Sequence, residues 1–185
     1  MIIKNDIEKL RIKCEKVLEH EVADLVAKLE EALALSEKDG YPGVGLAAPQ
    51  IGIAKDIAIV RTDKYNINLV NAKIKEKYDK ILFKDEGCLS FPDLKEDTIR
   101  YNEVFIENDY SNDFVATGFL AVVCQHEIDH LNSNLFFDRK LPSNFKRLIS
   151  SGKLKPDDNC PCGSLNPHTK KNNKFKKCCG ELYGK

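Results

Sequence analysis

An α+β fold is predicted, with helices at the two ends of the main body and strands in its middle. Three observations predict it. Residues 20–38 repeat apolar side chains at three and four spacing, the run from Ile57 to Ala116 is rich in β-branched and aromatic residues, and Gly118–Asn132 is apolar on most faces. Helix and strand patterns do not alternate regularly, which disfavours a doubly wound sheet.

Each element follows from its residues. Residues 6–19 carry a loose helical pattern. In 20–38, Val22, Leu25, Val26, Leu29, Ala32 and Leu33 form one stripe, and Gly40 and Pro42 end it. Tyr41–Gly52 holds Pro42, Gly43, Gly45, Pro49 and Gly52 and reads as a loop with unusual backbone angles. Strands are expected at Ile57–Arg61, Ile67–Ile74, Ile81–Lys84 and Thr98–Glu107. The last meets a turn cluster, Asn108 to Asn112, before a short strand at Phe114–Ala116. Gly118–Asn132 is long enough for a helix buried through the core, and Pro142–Ile149 for a short final one. Three segments result: a main body over 1–149, a polar linker over 150–159 and a cysteine-rich tail over 160–185.

The 185 residues carry 29 basic and 29 acidic side chains, yet the balance is uneven. From Arg139 onward there are 12 basic and 3 acidic residues, a net +9, and residues 1–138 are correspondingly −9. No run approaches the length of a membrane span, and the charged N-terminus has no apolar signal segment. A cytoplasmic location is expected, where clustered cysteines bind metal more often than they form bridges.

The sharpest motif is His126-Glu127-Ile128-Asp129-His130. Residues i and i+4 share a helix face, so both imidazoles can reach one metal ion, with Glu127 beside them as general base. A catalytic metal needs a third protein ligand. Cys88, in Glu86-Gly87-Cys88-Leu89-Ser90, would complete a Cys-His-His set, although a buried small hydrophobe is as good a reading of that cysteine alone. Cys124 precedes His126 by two residues, faces away on the helix and reads as packing, as does Cys14. Gly43-Val44-Gly45-Leu46-Ala47-Ala48-Pro49-Gln50-Ile51-Gly52 is weak evidence by itself and is not a phosphate loop, since no G-K-[ST] follows.

Taken together and in order, GVGLAAPQIG, EGCLS and QHEIDHL resemble the three signature motifs of the peptide deformylase family. The resemblance covers about residues 1–140 and implies the family's fold, with sheets packed around a central HExxH helix. It also implies roles. Cys88, His126 and His130 would bind the metal, usually ferrous iron with zinc or nickel as substitutes, and Glu127 would be the general acid/base. The Gln50 amide and the Leu89 backbone N–H would form the oxyanion hole, with Glu86 and Arg100 paired in support. Gly45 would hydrogen-bond the substrate, and Val44, Phe119, Val122 and Val123 would line the pocket for its first side chain, typically Met. The implied reaction is removal of formyl from N-formylmethionyl chains with release of formate, by a monomeric enzyme that does not bind membrane. One departure is Ser133, which stands where the family usually has a loop glycine. A metallopeptidase of the HExxH type is the alternative enzyme, and an inert module acting through the tail is the alternative of another class. Cys88 and the GVGLAAPQ segment favour deformylation over both.

The tail reads CPCGS, then a lysine-rich stretch, then KKCCG. Cys160, Cys162, Cys178 and Cys179 make two close thiolate pairs suited to tetrahedral structural zinc. The pattern resembles the SEC-C zinc motif at the C-terminus of the preprotein translocase ATPase, with a longer gap between pairs, Gly163 to Lys177. The +9 charge makes RNA or an acidic protein near the ribosome exit an expected partner, against the plainer reading of a solvated tail.

Overall fold

The structure is a computed structural model that describes residues 1–140, 147–148, 151–160, 169 and 171–180. It is α+β. Helices α1 (Ile7–Leu10), α2 (Val22–Lys38) and α3 (Gly118–Leu131) accompany strands β1 (Gly45–Ala47), β2 (Ile57–Arg61), β3 (Asn66–Val70), β4 (Lys73–Cys88), β5 (Phe91–Glu107) and β6 (Phe114–Thr117). The strands form two antiparallel sheets, β1-β2-β3 and β4-β5-β6.

Strand β2 explains why its sequence is apolar without alternation. Ile57 and Ile59 pack with Leu25, Leu29, Ala32 and Leu33 of α2, whereas Ala58 and Val60 pack with Ala121, Cys124 and Ile128 of α3. Both faces of the strand are therefore covered, and each successive side chain needs an apolar environment. Helix α3 in turn lies between this sheet and the second one, with all residues from Leu120 to Leu131 buried. That burial is what places the HExxH pair inside the protein.

Three local expectations change. Only one turn of the 6–19 pattern is helical, with the Asp6 side chain accepting from the Lys9 N–H. Beyond it the backbone pairs elsewhere: Glu15 N–H donates to Ala54 O, and Asp56 N–H donates to Glu15 O. A short helix has little stability of its own, so these tertiary bonds prevail. Next, the expected loop 41–52 contains strand β1 and a 3-10 turn over Ala48–Ile51; of Gly43, Gly45 and Gly52, only Gly52 has a positive φ, +79°. Last, the run Ile67–Ile74 breaks at Asn71, whose φ is +49°, and Ile81–Lys84 and Thr98–Glu107 are parts of the 16- and 17-residue arms of one hairpin. Asn71 holds the break by pairing its side-chain amide with both the N–H and the O of Val17.

Helix α3 ends as the sequence requires despite its serine. Ser133 takes the left-handed conformation, φ +59°, and its hydroxyl donates to Ile12 O at 2.8 Å. This bond offsets part of the cost of a side chain in a region that favours glycine. The expected helix over Pro142–Ile149 lies outside the described residues except for Arg147 and Leu148, which are helical.

Candidate active site

One imidazole turn apart on α3, His126 and His130 have ring centroids separated by 5.0 Å. The hairpin of β4 and β5 brings Cys88 to them, with Sγ 3.4 Å from His130 Nε2. One ligand atom from each of Cys88, His126 and His130 lies within 4.8 Å of the others, and all three residues are buried. Bulges between Phe83 and Glu86 and between Gly87 and Cys88 turn the strand end toward α3.

His126 is oriented from behind. Its Nδ1 lies 2.7 Å from Glu86 Oε1, which leaves Nε2 facing the ligand cluster. Glu86 is itself held by Arg100, whose Nε donates to Oε2 at 2.9 Å and whose second nitrogen donates to Oε1, and by the Thr98 hydroxyl. Burial alone would push the Glu86 carboxyl up, but the hydrogen bonds and charges of His126 and Arg100 prevail and hold it at about 2. Arg100 also donates to Asp129 at 2.6 Å, and Arg139 grips the same Asp129 carboxylate.

Glu127 behaves differently. Burial pushes its carboxyl up to about 7, and its Oε2 has no hydrogen-bond partner. It packs directly against β1: a Cβ added at Gly45 would lie 2.4 Å from Glu127 Oε1. Gly43 is constrained similarly, because a Cβ there would lie 2.6 Å from the Leu89 side chain. These two glycines are needed for close approach and not for unusual angles.

Gln50 is fixed at both ends of its amide. Its Oε1 accepts from the Ala47 N–H at 2.9 Å, and its Nε2 donates to Ser90 Oγ at 3.1 Å, 3.5 Å from Cys88 Sγ. A cavity of about 650 Å³ opens over the cluster. Val44, Gly45, Gln50, Leu89, Phe119, Val122, Val123, His126 and Glu127 all line it. Every body residue assigned a metal, acid–base, oxyanion, substrate or supporting role from sequence thus lies at this cavity, in the ligand cluster or in the network behind it. Ser90, Thr98, Asp129 and Arg139 were missed as functional residues. Ser90 and Asp129 sit inside the quoted motifs, so spacing could have flagged them; Thr98 and Arg139 carry no local signal.

The residues fit a divalent metal. One thiol and two imidazoles converge in a buried spot, a set that suits zinc or iron, and an unpartnered carboxylate stands beside them. Residues 1–146 match the family model described as Polypeptide deformylase.

The chain belongs to the polypeptide deformylase family. It is a metal-dependent hydrolase that removes the N-formyl group from newly made polypeptides. Peptide deformylase 1 of Bacillus cereus is 38% identical over 143 residues, which cover 73% of this chain and 88% of that one. A probable peptide deformylase from Synechococcus phage S-SSM7 superposes with a TM-score of 0.66 at 36% identity, over 75% of this chain and 98% of that one. The Acinetobacter baumannii enzyme with Met-Ala-Ser bound gives 0.64 at 30% identity, over 75% and 96%. All three likenesses leave part of this chain unmatched.

A second cluster lies in the tail of this deformylase. The sulfurs of Cys160, Cys178 and Cys179 are within 4.8 Å of one another, and all three residues are buried. Cys162 lies outside the described residues. No helix among the described residues is long and apolar enough to cross a membrane.

Proposed function

We propose that the deformylase reaction runs on the constellation of Cys88, His126, His130, Glu127, Gln50 and Leu89, with ferrous iron as the native metal and zinc or nickel as substitutes. The observation that carries this assignment is the convergence of the three ligand atoms beside a carboxylate whose pKa burial brings to about 7. When bound, the metal supplies Lewis acidity that lowers the pKa of the attacking water toward neutrality.

The protein's own residues do the rest. Glu127 takes the water proton and passes it to the departing amine, work for which a carboxyl near neutral pKa is suited. Gln50 Nε2 and the Leu89 N–H donate to the formyl oxygen as it gains charge; one such donor is worth about 3 kcal/mol. The peptide lies extended along Gly45, and Val44, Phe119, Val122 and Val123 receive its methionine side chain. Phe119 and Val44 are exposed large apolar residues at the mouth of the cavity, as an apolar substrate needs. Glu86 and Arg100 keep His126 in one tautomer.

In the tail we infer a structural zinc held by Cys160, Cys178 and Cys179, with Cys162 the fourth ligand expected from the sequence. Lys171, Lys174, Lys176 and Lys177 are exposed around it. That basic surface supports a role in holding a monomeric, cytoplasmic enzyme near ribosomal RNA or an acidic ribosomal protein.

Two experiments test these readings. Metal-loaded protein prepared without oxygen should release formate from formyl-Met-Ala-Ser, and Glu127→Gln should not; equal rates would reject the assigned base. The full chain should co-sediment with ribosomes in a salt-dependent way, more than a chain ending at Ser150; equal pelleting would reject the tail's partner.

A further inference from the structure

The cysteine cluster does not stand apart from the catalytic sheet. Around Cys160, Cys178 and Cys179 pack Leu154 and Phe175 from the tail and Leu82 and Ile99 from the hairpin of β4 and β5. Lys80 Nζ, also on β4, donates to Cys178 Sγ at 2.9 Å. The tail segments are tied to each other by backbone bonds: Cys160 N–H to Asn173 O at 2.8 Å, Phe175 N–H to Asp158 O at 2.8 Å, and Lys176 N–H to Pro156 O at 2.9 Å. Gly180 closes the unit, since a Cβ there would lie 2.6 Å from Phe175 O.

Strand periodicity connects this knob to the site. Leu82 pairs with Ile99 across the hairpin, so both side chains emerge on one face. Side chains of one strand alternate in direction, so Thr98 and Arg100 point to the opposite face. There both hold Glu86, which holds His126. Thus Thr98-Ile99-Arg100 is engaged by the tail through its middle residue and by the metal-ligand network through the residues on either side.

We propose that the tail is a metal-set clamp on the catalytic sheet. A soft divalent ion of the zinc class, bound by Cys160, Cys178 and Cys179, fixes the knob, and the knob presses Leu154 and Phe175 onto Leu82 and Ile99. The clamp holds the strand from which Thr98 and Arg100 reach Glu86. So small a unit has little apolar core, so its order depends on the ion. Loss of the ion releases the strand, and Glu86 then orients His126 less firmly. Lys80 contributes a positive charge from the catalytic body to the thiolates, so the body helps to complete the tail's site. Thr98 and Arg100 act here as positioning residues. The inference rests on the tail binding metal.

The test uses the full chain, with metal content, amide hydrogen exchange and kinetics measured together. Wild type should hold two metal ions per chain. Cys178→Ser combined with Cys179→Ser should hold one. In that variant, exchange over Thr98–Arg100 should speed at least tenfold, and kcat for formyl-Met-Ala-Ser should fall severalfold with KM nearly unchanged. Leu82→Ser, which loosens docking without touching a cysteine, should keep both ions and show the same faster exchange. Unchanged exchange over Thr98–Arg100 in the variant lacking tail metal overturns the clamp and leaves the zinc reading intact. A wild-type chain with only one metal ion overturns both.

Discussion

Gly45 lies against Glu127 so closely that even one added methyl group has no room: a Cβ would sit 2.4 Å from the Glu127 Oε1. The carboxylate belongs to α3 and the glycine to β1, so Glu127 is positioned by contact between two elements. Gly45→Ala should displace Glu127 and lower kcat by about 100-fold, at the low end of what a positioned acid–base group contributes. Metal content should stay at the wild-type value, because the three atoms nearest an added Cβ all belong to Glu127. A kcat within twofold of wild type would show that Glu127 is not held by this contact.

Arg100 and Arg139 share Asp129 but should not be equivalent. Arg100 is 2% exposed and is the cation that partners both Glu86 and Asp129. Arg100→Leu takes the guanidinium from the buried Glu86 and leaves Asp129 with the half-exposed Arg139 alone, which should cost about 3–5 kcal/mol of stability. It should also weaken metal binding by about 10–100-fold through the loss of Glu86's support for His126. The Arg139 side chain is 43% exposed, and Arg139→Ala leaves Asp129 paired with Arg100, so the cost should be about 1 kcal/mol or less. Denaturant unfolding of both variants checks the ranking, and similar losses would contradict it.

That network marks how far the sequence could be read. The HExxH spacing placed His126, Glu127 and His130 because a helix has one period, and three motifs in order implied Cys88 and Gln50. The α2 stripe and the β2 run were legible because each buries a whole face or both faces. Arg139 was not legible, since ten residues and a helix end separate it from the Asp129 it binds. Nor was the contact of Ile99 with the tail, because strand pairing over a long hairpin sets it and no local pattern records that register. The 6–19 segment misled for a related reason: its weak periodicity lost to backbone pairing with Ala54 and Asp56.

Asp56 is a half-buried carboxylate that the site does not use. Burial raises its carboxyl pKa, the nearby Asp109 adds to this, and Lys73 and Lys16 only partly oppose it; its Oδ1 has no hydrogen-bond partner. A carboxyl whose folded pKa lies above its unfolded value destabilises the fold once ionised, so its penalty is full above the folded pKa and vanishes below the unfolded one. Asp56→Asn should therefore raise the melting temperature at pH 7, and the gain should shrink as pH falls toward 4. A gain that is the same at both values would mean that ionisation is not the cause.

Cys124 and Cys14 should be chemically quiet. Burial pushes the Cys124 thiol up to about 12 and the Cys14 thiol up to about 11, so at pH 7.5 almost no thiolate is present at either. Mass spectrometry after brief alkylation of the native protein should find both unmodified, and denaturation should expose them. Rapid native labelling of Cys124 would contradict its placement between α3 and β2.

Gln50 offers the clearest separation of positioning from donation. Its amide is held by Ala47 at the oxygen and, at the nitrogen, by Ser90 Oγ and by a longer bond to Cys88 Sγ, so the hydrogen directed at Cys88 is the one a substrate oxygen can take over. Gln50→Ala should lower kcat by about 10²–10³, the usual loss of one oxyanion donor, with KM little changed because the bond strengthens only as charge develops. Ser90→Ala keeps the donor but removes its acceptor, so its loss should be about tenfold. Combined with Gln50→Ala it should add nothing further, since the residue it positions is gone. Full additivity in that double variant would mean that Ser90 acts on Cys88 or on the fold instead of on Gln50.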